Sequence, residues 1–166
     1  SLSIVCDKNE CVGWCVDPTE KPFTVRMYSI KENLLDFDYL GKVTYNILYQ
    51  DKKWNIWHLS VRKLKDIYIM LAASNPEISI NGSPPMHVFL LISKDGLCFE
   101  PLIHEPLIKA EYLSDINLLY RGDFIIEGNV LKALISYSTS PDKYCLLTNK
   151  MKGILQKPFL YINHFL

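Results

Sequence analysis

Three cysteines in the first fifteen residues, Cys6, Cys11 and Cys15, are the densest set of metal-capable side chains in this sequence. Structural zinc is held by C-x-x-C knuckles paired with further Cys or His, and here neither that spacing nor a nearby His is present, so small apolar thiols on strands are the expectation. With Cys98 and Cys145 the total is five, an odd number in no paired framework, which points to reduced thiols rather than a disulfide scaffold. His58-Leu59-Ser60 matches half of the H-x-[ST] pattern of two-histidine phosphoesterases, whose chemistry needs a second such histidine as partner acid or base. His87-Val88-Phe89 and His104-Glu105-Pro106 do not supply one. No glycine-rich phosphate loop is present, and no local signature marks a Cys/His nucleophile pair.

What remains is an aromatic and basic patch: Tyr45, Tyr49, Trp54 and Trp57 with Lys52, Lys53, Lys63 and Lys65. Stacking a base on such a ring contributes about 1–3 kcal/mol, and lysines beside it would meet phosphates. The same aromatics are also what a sheet buries in its core.

The elements that would carry this patch follow from periodicity. Short strands are expected at Leu2 to Cys6, Val12 to Val16 and Phe23 to Ile30, separated by polar turns. From Lys42 to Gln50, Val43, Tyr45, Ile47 and Tyr49 alternate with polar residues, and Trp54, Ile56 and His58 resume that period after Gln50-Asp51-Lys52-Lys53. This is a β-hairpin, with Tyr49 expected opposite Trp54. From Val61 to Ala73 the period turns helical, with Leu64, Ile67, Tyr68 and Leu71 on one stripe and Asn75-Pro76 as its end. A second hairpin joins Met86–Ile92 to Leu97–Ile103 across Asp95-Gly96, and the unbroken apolar run Val88 to Ile92 predicts a strand covered on both faces. A helix opening at Pro106 is expected to carry Leu107, Ile108, Leu113, Ile116 and Leu119 and to end at Gly122. Strands at Phe124–Ile126, Val130–Tyr137 and Tyr144–Leu147, a short helix near Asn149–Leu155 and a last extended piece complete an α+β domain of antiparallel hairpins packed on a few helices.

Length and composition agree with one compact domain over residues 1–166. Hydrophobic residues make up 49% and charged residues 22%, ordinary globular usage, and 18 basic residues balance 18 acidic ones. There is no global positive field for sequence-independent nucleic-acid binding. The longest apolar stretches fall far short of the roughly 20 residues a membrane helix needs, so a soluble, intracellular-type protein is expected. A first residue Ser1 and an apolar end, Tyr161 to Leu166, suggest a domain excised from a larger chain.

The order of elements from Val43–Tyr49 through Gln50–Lys53, Trp54–Ser60 and Val61-Arg62-Lys63-Leu64-Lys65 resembles the cap-binding domain of polymerase basic protein 2 in influenza-like orthomyxoviruses. The likeness continues through Val88–Cys98, Asn129–Leu131 to Ser140-Pro141, and Lys150–Gly153, and spans residues 40–157. The resemblance implies a non-catalytic domain of a viral RNA polymerase serving cap-snatching transcription, without a cofactor. Its partners would be the other polymerase subunits and capped host RNA, in the host nucleus and virion, with no membrane. The family sandwiches a methylated guanine between two aromatic rings while a carboxylate and a lysine read it. Tyr49 matches one ring, with Trp54 and Trp57 beside it. Ile92 stands where the second ring is expected, Asp51 is the nearest substitute for the carboxylate, and Lys63 or Lys65 matches the lysine. With one ring and the strand acid missing, cap binding would be weak or lost. The competing expectation is an intracellular protein–protein interaction domain with no small-molecule ligand.

Overall fold

The computed structural model describes residues 1–7, 10–31, 36–77, 86–110, 118–128, 130–140 and 143–152. Strands dominate these residues and no α-helix occurs among them, so the expected α+β class is corrected to all-β. Sheet I is an antiparallel meander of β1 (Leu2–Asp7), β2 (Glu10–Asp17), β3 (Thr24–Ile30) and β4 (Phe37–Lys42). Sheet II is built on a second meander, β7 (Lys52–Leu64), β8 (Ile67–Pro76), β9 (His87–Ser93) and β10 (Cys98–Pro101). It is widened by β6 (Ile47–Tyr49) beside β7 and by β5 (Thr44–Tyr45) parallel to β10. Sheet III comprises β11 (Leu118–Glu127), β12 (Val130–Ser140) and β13 (Lys143–Lys152).

Sheet II lies between the other two, and the pleat explains how. Met70, Ala72, Phe89 and Leu91 pack with Trp14, Val16, Val25 and Met27 of sheet I. The residues between them, Ile69, Leu71, Ala73, Val88 and Leu90, pack with Leu119, Phe124, Leu131, Ala133 and Ile135 of sheet III. A strand buried on both faces loses the polar-apolar alternation that marks a half-buried one. That is why Val61–Ala73 imitates a helix. It is the end of β7, a turn at Lys65-Asp66 and the start of β8, with Leu64 opposite Ile67 and Lys65 at φ 52°. The covered strand expected at Val88–Ile92 is β9.

The other expected helices are likewise not formed where they are described. Residues 106–109 are not helical, residues 111–117 lie outside the described residues, and Leu119 and Gly122 belong to β11. Asn149 to Lys152 continue β13, and the remainder of that expected helix lies outside the described residues. The expected strand over Lys42–Gln50 is divided because its partners change. Val43 N donates to Val25 O of sheet I, Thr44 N donates to Leu97 O, and Ile47–Tyr49 pair with β7. The hairpin turn is tighter than expected, with Gln50 and Asp51 both at positive φ and Tyr49 opposite Lys52. Such a pair of left-handed residues matches the twist of the flanking strands. Tyr49 still meets Trp54 diagonally, accepting its indole N–H at the Tyr49 carbonyl, 3.1 Å.

Cys6 and Cys11 stand opposite each other in the β1–β2 hairpin and form a disulfide, which corrects the expectation of reduced thiols at these two positions. Cross-strand partners are among the few residue pairs whose Cβ atoms already lie at bonding distance.

Trp14, fully buried, donates its indole N–H to Gly96 O at 2.7 Å and so ties sheet I to the β9–β10 turn. Gly96 adopts φ +77°, and a Cβ there would come within 2.9 Å of Met27 Cε and 3.0 Å of Trp14 Cζ2. Gly96→Ala is therefore expected to destabilise by about 1–3 kcal/mol through the left-handed backbone and the crowded indole, measured as a lower urea midpoint with an unchanged slope.

Candidate functional site

The first strand of each meander, β1, β7 and β11, runs beside its counterpart in the next sheet in the same direction. Two serines make the first junction. Ser1 Oγ accepts from Leu59 N and donates to Leu59 O, both at 3.2 Å, and Ser3 Oγ accepts from Val61 N at 2.8 Å and donates to Val61 O at 3.4 Å. They satisfy backbone groups on the edge of β7 that no strand pairs, groups that are costly to bury unmet.

The second junction is charged. Ser60 Oγ, Arg62 Nη2 and Phe124 N all donate to one oxygen of Asp123, Oδ1, at 2.6, 2.6 and 2.8 Å. The other oxygen, Oδ2, has no partner among the described residues, and the side chain is largely exposed. Partial burial pushes the Asp123 pKa up, but the hydrogen bonds from Ser60 and Phe124 and the charge of Arg62 outweigh it and leave the carboxyl below its ordinary value. Asp123 is thus an ionised acceptor with one face open. Across from it, Lys63 Nζ bonds Asp7 Oδ2 at 2.6 Å, and that bond leads the effects that raise the lysine pKa. Asp7, Arg62, Lys63 and Lys65 line a groove of about 580 Å³ together with Ile4, Val5 and Cys6.

Farther back along β7, His58 packs edge-on against Tyr120 of β11, 4.4 Å between centroids. Both imidazole nitrogens are buried without a hydrogen-bond partner among the described residues. Burial, then the Ser1 ammonium and the Arg121 guanidinium, lower its pKa to about 4. A neutral, unbonded His58 is not in a Ser-His relay, because Ser60 spends its proton on Asp123. His87 is buried, stacks on Trp54 at 4.6 Å and accepts from Ala110 N at its Nδ1; His104 lies exposed in a loop.

The structure does not assemble the residues expected to hold a cap. Tyr49 and Trp54 are core, packed on Phe89 and His87. Asp51 sits exposed in the turn, and Ile92 is half-buried against the core between sheets II and III. Lys63 and Lys65 come not from a helix but from the end of β7 and its turn, where they border the groove. Trp57 alone of these aromatics reaches the surface. Asp7, Ser60, Arg62 and Asp123 were not among the expected site residues. Ser60 and Asp123 meet across 63 residues of sequence, which no local spacing encodes.

No protein-family model matches the chain, and no curated protein matches it. Solved structures do. An N-acetylgalactosamine deacetylase from F. plautii, solved with blood group B trisaccharide, superposes with a TM-score of 0.71 at 14% identity, over 94% of this chain and 51% of that one. A GH32 β-fructofuranosidase from Bombyx mori gives 0.67 at 13%, over 93% and 32%. A GH93 α-L-arabinofuranosidase of Fusarium graminearum, solved with arabinobiose, gives 0.60 at 10%, over 92% and 45%. The chain spans a third to about half the length of these structures. At such identities the likeness establishes fold: three adjacent sheets arranged as in a β-propeller, whose blades are four-stranded meanders around an axis. This fold overturns the cap-binding, cap-snatching function that the resemblance implied. The expectation of a non-catalytic polymerase domain falls with it, since the structures that share this fold are carbohydrate-active enzymes.

The His58 pKa has a consequence for stability. Unfolded, the imidazole titrates near its ordinary value, 6.5; folded, it does so near 4. Between these values the unfolded chain binds the extra proton, so stability present above pH 6.5 is lost as pH falls toward 4. Thermal midpoints are expected to drop across that window in the wild type and much less in His58→Phe.

Proposed function

We propose that this chain is part of a propeller-type carbohydrate-processing protein and holds a sugar along β7, between Asp123 of β11 and the groove lined by β1 and the end of β7. The observation that carries this is Asp123: an ionised carboxylate fixed by three donors on one oxygen, with the other oxygen open. Such a group accepts hydrogen bonds from sugar hydroxyls with little ordering cost, because its rotamer is already set. Arg62, which bonds Asp123 and also lines the groove, and Lys63 add donors, and Asp7 a second acceptor, so this end of β7 offers both polarities as a polyhydroxylated ligand requires. The groove's Ile4 and Val5 border would cover ring carbons.

The same chemistry limits the role in catalysis. Glycoside hydrolysis takes one protonated and one ionised carboxyl, about 5–5.5 Å apart for retention and 6.5–9.5 Å for inversion. Asp123, held below its ordinary pKa, suits the ionised partner and not the acid, and Asp7 is bound to Lys63. The proton donor of the whole protein would then come from outside this pair. The sugars bound to or named for the similar structures supply the probes: arabinobiose, a β-fructofuranoside and the blood group B trisaccharide. The Cys6–Cys11 disulfide fits an oxidising compartment, where secreted carbohydrate-processing proteins work.

Calorimetric titration of the folded chain with these sugars is expected to give saturable binding to at least one, weakened about 10- to 100-fold in Asp123→Ala, the usual loss for a charge-assisted hydrogen bond. Circular dichroism would confirm that the variant folds. Binding unchanged in Asp123→Ala, or absent from a folded wild type for every sugar, would contradict the proposal.

A further inference from the structure

β7 carries an irregularity at a single place. Its register against β8 runs Trp54 to Pro76, Asn55 to Asn75 and Ile56 to Ser74, then passes directly to His58 opposite Ala73. Trp57 is the extra residue of a β-bulge, a device that turns a side chain out of the pleat and recurs beside functional sites. Its two neighbours of the same type are core, Trp14 at 0% and Trp54 at 4% exposure, whereas Trp57 is 38% exposed. Its indole nitrogen makes no hydrogen bond with a described residue, while those of Trp14 and Trp54 are both bonded to backbone carbonyls. Nor is the ring loose: Phe23 packs against it at 4.7 Å between centroids, and His58 flanks it edge-on at 6.4 Å.

We infer that Trp57, backed by Phe23, is a stacking platform for the apolar face of a sugar ring, a carbohydrate contact separate from the groove. At about 3.3 Å per residue, Trp57 lies roughly 16 Å along β7 from Arg62, so the two contacts would engage different rings of an oligosaccharide, or different molecules. A fixed indole offers a flat π-surface to the C–H bonds of a pyranose or furanose at low entropy cost, and its free N–H can donate to a ring hydroxyl. The inference rests on the carbohydrate reading above, which supplies the ligand class; the bulge, the exposure and the Phe23 support supply the place.

Because Trp57 is the exposed indole of three, tryptophan emission and its quenching by acrylamide report on it selectively. Saturating arabino- or galacto-oligosaccharide is expected to shift emission to the blue and to reduce quenching in the wild type. Trp57→Phe should keep affinity within about threefold, having kept the ring, and Trp57→Ala should lose about tenfold. Sugar binding that is undiminished in Trp57→Ala, with wild-type emission unmoved, would overturn the platform while leaving the groove reading intact. No sugar binding at all by the folded wild type would overturn both. Quenching that falls with protein concentration rather than with sugar would overturn the platform in favour of a contact between protein surfaces.

Discussion

Sheet II is apolar on both faces, and a sheet of that kind is stable only as the middle layer of three. Burial contributes roughly 25 cal/mol per Å² of apolar surface, and β8 and β9 present large side chains such as Met70, Leu71, Phe89 and Leu90 alternately to either side. Sheets I and III must therefore stack against it. Once they do, the first strand of each meander falls beside the first strand of the next, because all three sheets are laid down in the same order. The line of β1, β7 and β11 is a result of that stacking, and every polar feature of functional interest lies on it.

Along this line the molecule changes its means of cohesion from apolar contact to hydrogen bonding. The unpaired edge of β7 faces sheet I through the hydroxyls of Ser1 and Ser3 and faces sheet III through Ser60 and Arg62. Short polar side chains let neighbouring strands approach while leaving no backbone group unmet. The same contacts hold Asp123 in one rotamer with one oxygen turned out. The proposed sugar contact thus falls on a carboxylate that already has a structural role, as is common where a site is built on rigid strands rather than loops.

Much of the strand content was legible in the sequence, and the class was not. β1, β2, β3, β9 and β12 announce themselves by alternation or by β-branched runs, and Gln50-Asp51 and Asp95-Gly96 by turn chemistry. The errors share one cause. Where strands are covered on both faces, as at the end of β7 and in β8, apolar residues follow one another without period, and Leu64, Ile67, Tyr68 and Leu71 fall by chance on a helical stripe. Pro106 and Gly122 carried helix punctuation into a segment with no α-helix among its described residues, 106–109 being irregular and Gly122 standing at a register shift in β11. The site was hidden for another reason: Ser60, Arg62 and Asp123 are joined only by the stacking of sheets. Trp57 was visible as an aromatic, but its exposure depends on a bulge that no residue type announces.

The proposed function requires that a sugar bind along the line of inner strands. Amide chemical-shift mapping of the isotopically labelled chain with arabinobiose, and with a galacto-oligosaccharide in parallel, tests this most directly. Shifts concentrated on Ser60–Lys63, Gly122–Phe124 and the β1 end near Asp7 are the predicted result. Shifts confined to the outer strands β4 and β13, or to the buried Tyr49–Trp54 cluster, would contradict it.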